Sequence, residues 1–306
     1  MANPARADVA LLTERRYAAA TAAPDDWYLA NILRDDALLA AALAQHGLST
    51  VRVDWAGVDV DWSAFRCAVF RTTWDYYGQI DAFTAWLGRA DRLTRLCNPA
   101  ALVRWNLDKH YLRDLAARGV PVVPTRFLEC GQQQAIDQLL AETGWPEAVI
   151  KPCVSGGARH TYRVDRANAA AVQRVIDPLL AREAFMLQPF VTDVVDTGED
   201  TLVAIAGRVT HGLRKRAKPG DFRVQDDHGG TVHQLAPSTE QVAVAEQALA
   251  ACGTVPAYGR VDLVRLDDGS LAVMELELVE PELWLRLHPP AAEAMALAIA
   301  AGIAAP

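Results

Sequence analysis

The chain has 306 residues, enough for one large domain or two to three smaller ones. Its 51% hydrophobic and 22% charged content is an ordinary globular balance. A net charge of −8 argues against a nucleic-acid binder, no run reaches the length of an apolar membrane span, and five scattered cysteines without Cys-x-x-Cys spacing fit a reduced cytoplasm.

No charged-then-apolar leader opens the sequence, which also fits a cytoplasmic protein. Residues 8–13 read as a short apolar strand, and 27–45 carry helical periodicity up to Gly47. Residues 50–54 and 67–71 read as two more strands. This βαβ rhythm predicts a small, parallel, doubly wound sheet, in which ligands gather beyond the carboxyl ends of the strands. Arg71, Trp74 and Asp75 follow the third strand and are the candidates for holding a substrate. The competing structural reading is a packed Trp at a capped helix entry.

Asn98-Pro99 marks a junction. Beyond it the pattern predicts a helix over 107–117, a strand over 122–128, a helix over 132–142 and a strand over 148–152. That strand runs into Ser155-Gly156-Gly157-Ala158, with a return strand at 160–164, a helix at 168–181 and a strand at 185–191. A hairpin of 201–206 with 209–216 around Gly207-Arg208 would set Asp200 opposite Lys215 as a cross-strand ion pair. His228-Gly229-Gly230 reads as a loop, and the Ala-rich stretch 291–305 as a packed terminal helix.

The most informative stretch lies near the end. Two β-rich runs flank Asp268-Gly269, which predicts a hairpin with a two-residue turn. Asp262 then lies opposite Glu275, and Arg260 opposite Glu277, all on one strand face. Val261, Leu263, Met274, Leu276 and Leu278 fill the other face. Opposed like charges are destabilising, so a cation is expected between Asp262 and Glu275. Asp262, Glu275 and Glu277 are hard ligands suited to Mg²⁺ or Mn²⁺. Upstream, Lys151 ends a strand just before Ser155, Gly156 and Gly157, whose backbone can approach phosphate oxygens. No Gly-x-x-x-x-Gly-Lys signature is present, which excludes an ordinary P-loop.

The order of these pieces carries more than any one of them. Lys109, Lys151, the glycine loop, Leu187-Gln188-Pro189-Phe190-Val191, Gly198-Glu199, the basic strand through Lys215, Asp221-Phe222-Arg223-Val224, Arg260-Val261-Asp262 and Glu275-Leu276-Glu277 follow in series. The series resembles the ATP-grasp superfamily of carboxylate–amine ligases, from about residue 100 to 285. Asp221-Phe-Arg-Val-Gln and Met274-Glu-Leu-Glu-Leu are similar to the branch that holds O-ureido-serine cyclo-ligase.

The resemblance implies that Lys109 and Lys151 bind ATP phosphates and that residues 155–158 form a lid. It implies that Gln188, Pro189, Phe190 and Val191 read adenine, that Glu199 binds ribose, and that Asp262 and Glu275 bind metal. Glu277 stands where the family usually has Asn. Arg260 would stabilise the reacting acyl centre, with Lys215 and Arg223 near the γ-phosphate. The expected fold is α/β: a doubly wound N-terminal domain (1–104) and a two-part ATP-grasp region (105–184 and 185–306). The expected activity is ADP-forming activation of a small amino acid's carboxylate for attack by an amine-type nucleophile, either within one molecule or between two. A nucleotide-binding regulator is the non-catalytic alternative. The expected partner is a small-molecule amino-acid substrate, without nucleic acid or membrane, and a homo-oligomer is left open.

Overall fold

A computed structural model of the chain describes residues 7–224 and 229–304. His228 and Gln225, which belong to two of the sequence stretches above, lie outside the described residues, as does Ala305. The fold is α/β, with three sheets. The first is parallel, in the order β2-β1-β3-β4: β1 (Val9–Thr13), β2 (Thr50–Asp54), β3 (Cys67–Thr72) and β4 (Arg95–Cys97). Helix α1 (Trp27–Gln45) begins where the Asp26 carboxylate accepts the Leu29 N–H at 3.0 Å, and α2 (Ile80–Ala90) precedes β4. One side of this sheet packs aromatic rings, among them Trp55, Phe70, Phe83 and Trp86. On the other, α1 shares a core with the terminal helix, whose Met295 and Ile299 pack against Leu39 and Leu43.

The helix expected over 107–117 is shortened to α4 (Tyr111–Ala117), and a separate helix α3 (Ala100–Asn106) precedes it. The break has a local cause. The Asp108 carboxylate accepts the His110 N–H at 3.0 Å, a turn that competes with helical continuation. Lys109 sits in this break, and its N–H donates to the Cys153 carbonyl at 2.9 Å. The strand expected over 122–128 shrinks to β5 (Arg126–Leu128), because Pro121 and Pro124 interrupt the ladder.

After α5 (Ile136–Thr143) come β6 (Glu147–Pro152), β7 (Tyr162–Asp165), α6 (Ala169–Leu180) and β8 (Phe185–Pro189). They build the second sheet, antiparallel, in the order β5-β8-β6-β7. Strand β8 pairs with both β5 and β6, so this sheet extends past residue 184, the end expected of it from sequence.

The third sheet is antiparallel in the order β11-β10-β9-β12-β13. A short helix α7 (Asp193–Asp196) leads into β9 (Glu199–Ile205), β10 (Arg208–Arg216) and β11 (Thr231–Leu235). Helix α8 (Thr239–Ala250), with a Ser238/Gln241 capping box, precedes β12 (Tyr258–Arg265), β13 (Leu271–Glu277) and the terminal α9 (Pro290–Ala304).

Strand β13 is the last strand of this sheet; backbone of Pro121 and Val123 meets Val273 on its outer edge, and side chains from α3 and α4 meet residues 276 and 278. Asn106 Nδ2 donates to the Leu276 carbonyl at 2.8 Å, the Leu278 N–H donates to Asn106 Oδ1 at 2.7 Å, and the Leu276 N–H donates to the Tyr111 hydroxyl at 3.0 Å. The 275 and 277 backbones pair with Asp262 and Arg260 of β12, and their side chains share one sheet face. Asn98, at the predicted junction, ties the first sheet to the third. It donates to the Tyr258 and Leu278 carbonyls at 2.9 and 2.7 Å and accepts the Ala257 N–H at 2.7 Å.

Arg71 corrects one sequence expectation. It is 4% exposed, its Nε donates to Asp36 Oδ1 at 2.9 Å, and it does not line the cleft described below. Asp36 also pairs with Arg52 at 2.8 Å, and the adjacent Asp35 pairs with Arg286 at 2.9 Å. These buried charges brace α1 against β2, β3 and the segment before α9. Arg71→Ala is expected to lower unfolding free energy by about 3 kcal/mol, the lower end for breaking a buried pair, since Arg52 remains. Urea denaturation measures this. Native stability with a raised KM for the amino acid would return Arg71 to substrate binding.

Candidate active site

A cavity of about 410 Å³ is lined by the second and third sheets and by loops and helix ends next to the first. Its floor is the β12–β13 hairpin. Asp262 pairs with Glu275 and Arg260 with Glu277, as read from the sequence, but for a different reason. The turn is longer than two residues: Arg265 pairs with Leu271, and the Gly269 N–H donates to the Leu266 carbonyl at 2.8 Å. A β-bulge between Asp262 and Leu263 then restores the register, with Met274 the extra residue. Met274 therefore lines the cavity and packs with Val191, Val264 and Ala272, outside the core that holds Leu276.

Ligand oxygens of Asp262, Glu275 and Glu277 lie within 4.8 Å of one another. Side-chain cations surround them. Lys215 Nζ is 3.0 Å from Asp262 Oδ2 and 2.5 Å from Glu199 Oε1. Arg260 grips Asp262 at 3.1 and 2.9 Å and also bonds Glu277. Lys109 Nζ is 3.0 Å from Glu275 Oε1 and donates to the Ser155 carbonyl at 2.8 Å. Against the cost of burial, Arg260 and Lys215 hold Asp262 well below the usual carboxylate range. Lys109 and Lys151 hold Glu275 below its ordinary value in the same way. Burial wins at Glu277, which rises to about 7.

Lys215 was expected opposite Asp200. A register shift in β10 between Val209 and His211 places it opposite Glu199, while Asp200 pairs with Arg214 at 2.6 Å. Lys215 is thereby freed from the bland ion pair and joins the carboxylate cluster. Lys151 lines the cavity from β6 with no hydrogen bond or ion pair among the described residues. Burial, reinforced by Lys109, pushes its ammonium below the ordinary value despite Glu275. A buried cation without a partner is a seat for an anion.

The glycine loop closes over the cavity from the second sheet. A Cβ at Gly156 would come within 2.9 Å of the Tyr77 ring, and Gly157 has φ +56°, so both positions suit glycine. Gln188, Pro189, Phe190 and Val191 line the opposite wall. The Phe190 N–H is taken by the Glu147 carbonyl at 3.0 Å, whereas the Val191 N–H has no partner among the described residues. Gln188 Nε2 instead donates to Thr125 at 3.1 Å. Arg223 lines the cavity and pairs with Asp221 at 2.8 Å, which holds that carboxylate well below its usual range.

Trp74 and Asp75 line the end of the cavity formed by loops next to the first sheet, where Trp74 Nε1 donates to the Glu280 carbonyl at 2.9 Å. Sequence reading missed their neighbours Glu14, Arg16 and Glu280. A signal for Glu14 existed, since it follows β1 as Trp74 follows β3. Glu280 lies three residues beyond the last candidate ligand, Glu277.

A family profile described as D-cycloserine synthetase DcsG, N-terminal domain, matches residues 9–98. The chain is 38% identical over 272 residues to the cycloserine biosynthesis protein DcsG of Streptomyces lavendulae, covering 83% of this chain and 89% of that protein. Among solved structures, D-cycloserine synthetase DcsG superposes with a TM-score of 0.81 at 34% identity, covering 96% of this chain and 99% of that one. The RimK domain protein ATP-grasp from Sphaerobacter thermophilus DSM 20745 shares the fold, with a TM-score of 0.66 at 23% identity over 95% of this chain and 98% of its own. No helix among the described residues is long and apolar enough to cross a membrane. Fold, cavity and kinship agree: the chain belongs to the D-cycloserine synthetase family of ATP-grasp ligases.

Proposed function

We propose that the protein is an ADP-forming ligase that closes cycloserine from O-ureido-serine. The observation that carries this reading is one cavity with an unpartnered Lys151 and a carboxylate cluster at one end, and Trp74 and Asp75 at the other. ATP occupies the first end and the amino acid the second. The substrate carboxylate attacks the γ-phosphorus, ADP leaves, and an acyl phosphate forms. The ureido nitrogen next to oxygen then attacks the acyl carbon, loses its proton and expels phosphate, which closes the five-membered ring. The carbamoyl group, absent from cycloserine, leaves by hydrolysis.

Phosphoryl transfer depends on positioning and charge neutralisation. Lys109, Lys151, Lys215 and Arg223 supply positive charge around the phosphates. Asp262, Glu275 and Glu277 fit a hard divalent cation, Mg²⁺ in the first instance, although in this structure their oxygens face lysine and arginine. Held by these residues, such an ion would offset the negative charge of the phosphates. Adenine lies against Gln188–Val191, with the Val191 N–H as donor, and Glu199 faces the ribose. Arg260 stabilises the oxyanion as nitrogen attacks. The lid of Ser155, Gly156 and Gly157 keeps water from the acyl phosphate. Tethered nucleophiles reach effective molarities of about 10⁵–10⁸ M in well-oriented cases, so no second amine is required.

The direct test incubates the protein with ATP, Mg²⁺ and O-ureido-D-serine alone and reads products by mass spectrometry. Cycloserine and ADP are expected. Turnover only when two separate amino acids are supplied would make it an intermolecular ligase. ADP release should also stop in excess EDTA. Glu275→Gln, which removes a ligand charge while keeping its shape, should cut turnover by about 100-fold or more, the scale of losing a key transition-state contact. Full activity in EDTA would exclude a catalytic metal.

A further inference from the structure

The charges of the cavity do not balance. Around the phosphates each carboxylate has a cation: Asp262 and Glu199 have Lys215, Glu275 has Lys109, and Glu277 has Arg260. Three further carboxyl groups of the cavity have no ion-pair partner among the described residues: Glu14, Asp75 and Glu280.

Glu14 directly follows β1 and is 7% exposed. Its backbone N–H donates to the Thr72 carbonyl at 2.8 Å, but its carboxyl has no hydrogen-bond or ion-pair partner among the described residues. Arg16 offsets part of its charge from the same wall without pairing with it. Asp75 accepts only from neutral donors, Trp55 Nε1 at 2.7 Å and Gln79 Nε2 at 2.8 Å. The Glu280 carboxyl accepts from the Tyr76 hydroxyl and from its own backbone N–H, and Lys109 offsets part of its charge without pairing with it.

Burial, and then Asp75, push Glu14 up to about 7. Burial, and then Glu277, push Glu280 up to about 8. The same wall holds Trp74, with Tyr17 packed edge-on to it at 5.5 Å and Tyr28 tilted against it at 5.9 Å. Buried and half-buried carboxyls without an ion-pair partner, beside aromatic rings, are a receptor for a small organic cation.

We propose that Glu14 and Glu280 hold the α-ammonium of the amino-acid substrate against Trp74, and so select substrates with a free α-amino group. The assignment rests on the ligase reading above and extends it to substrate choice. It also has a chemical consequence. An α-nitrogen kept protonated in an ion pair has no lone pair with which to attack another molecule's acyl phosphate. The ureido nitrogen is then the one nucleophile left, and ring closure prevails over chain joining.

The experiment compares two compounds on the intact protein: O-ureido-D-serine and its deamino counterpart, 3-(ureidooxy)propanoic acid. Wild type should favour the amino compound by about 10- to 150-fold in kcat/KM, the range for charge-assisted hydrogen bonds. In Glu14→Gln/Glu280→Gln the preference should fall to about threefold or less, through a raised KM for the amino acid, with KM for ATP unchanged. Glu14→Asp should fall between, which separates charge recognition from mere packing. Should the double variant fail to fold, the wild-type comparison still decides. Equal use of the two compounds, or variants that keep the wild-type preference, overturns the assignment and leaves the ligase reading intact. No ADP from either compound overturns both.

Discussion

Everything in the cavity depends on one constraint: three carboxylates are held within 4.8 Å on a strand pair that would repel itself if they stood alone. Lys109, Lys215 and Arg260 make the arrangement stable by entering the cluster from three different segments: the break between α3 and α4, strand β10, and strand β12 itself. Asp262 shows the balance. It is buried, yet two cations and the Thr201 hydroxyl at 2.6 Å keep it ionised. Removing one partner from such a cluster leaves a buried charge uncompensated, so the cluster fixes the relative placement of the strands as much as it prepares a reaction.

The same constraint divides labour along the cavity. The end built from the second and third sheets holds an unpartnered Lys151 and suits polyanionic phosphate. The end built from the loops after β1 and β3 and the segment after β13 holds carboxyl groups without ion-pair partners and suits an ammonium. A zwitterionic amino acid beside ATP satisfies both, with its carboxylate toward the phosphates and its nitrogen toward Glu14 and Glu280. The parallel sheet is then part of the chemistry as well as of the fold. Asn98 and the Asn106–Tyr111 clamp on β13 keep that sheet and the carboxylates in one frame.

Much of this was legible in the sequence because short-range rules govern it. Strand alternation put Asp262, Glu275 and Glu277 on one face, and βα rhythm gave the parallel sheet. The hairpin pairing was right through two compensating departures: a longer turn moved the register by one residue, and the bulge at Met274 moved it back. Periodicity carries no mark of a bulge, so Met274 was assigned to the wrong face. The same blindness misplaced Lys215, whose partner changed from Asp200 to Glu199 through a bulge in β10. Arg71 was a different error. The rule about strand ends is sound, but Asp35 and Asp36 on α1 are 35 or more residues away in sequence, and nothing local shows that Arg71 turns to them. Glu14, on the neighbouring strand end, obeyed the rule and was overlooked.

If lysine and arginine now occupy the places that a metal ion would take, the ion cannot bind well until phosphate oxygens draw those cations away. Metal and nucleotide must then bind together. Titration of Mn²⁺ followed by electron paramagnetic resonance, with and without a non-hydrolysable ATP analogue, measures this coupling. Protein alone should bind Mn²⁺ at least about tenfold more weakly than protein with the analogue, after correction for Mn²⁺ bound to free nucleotide, a coupling of about 1.4 kcal/mol or more. Equally tight Mn²⁺ binding without nucleotide would show that the carboxylates are not held by Lys109, Lys215 and Arg260, and would contradict the charge balance on which the site rests.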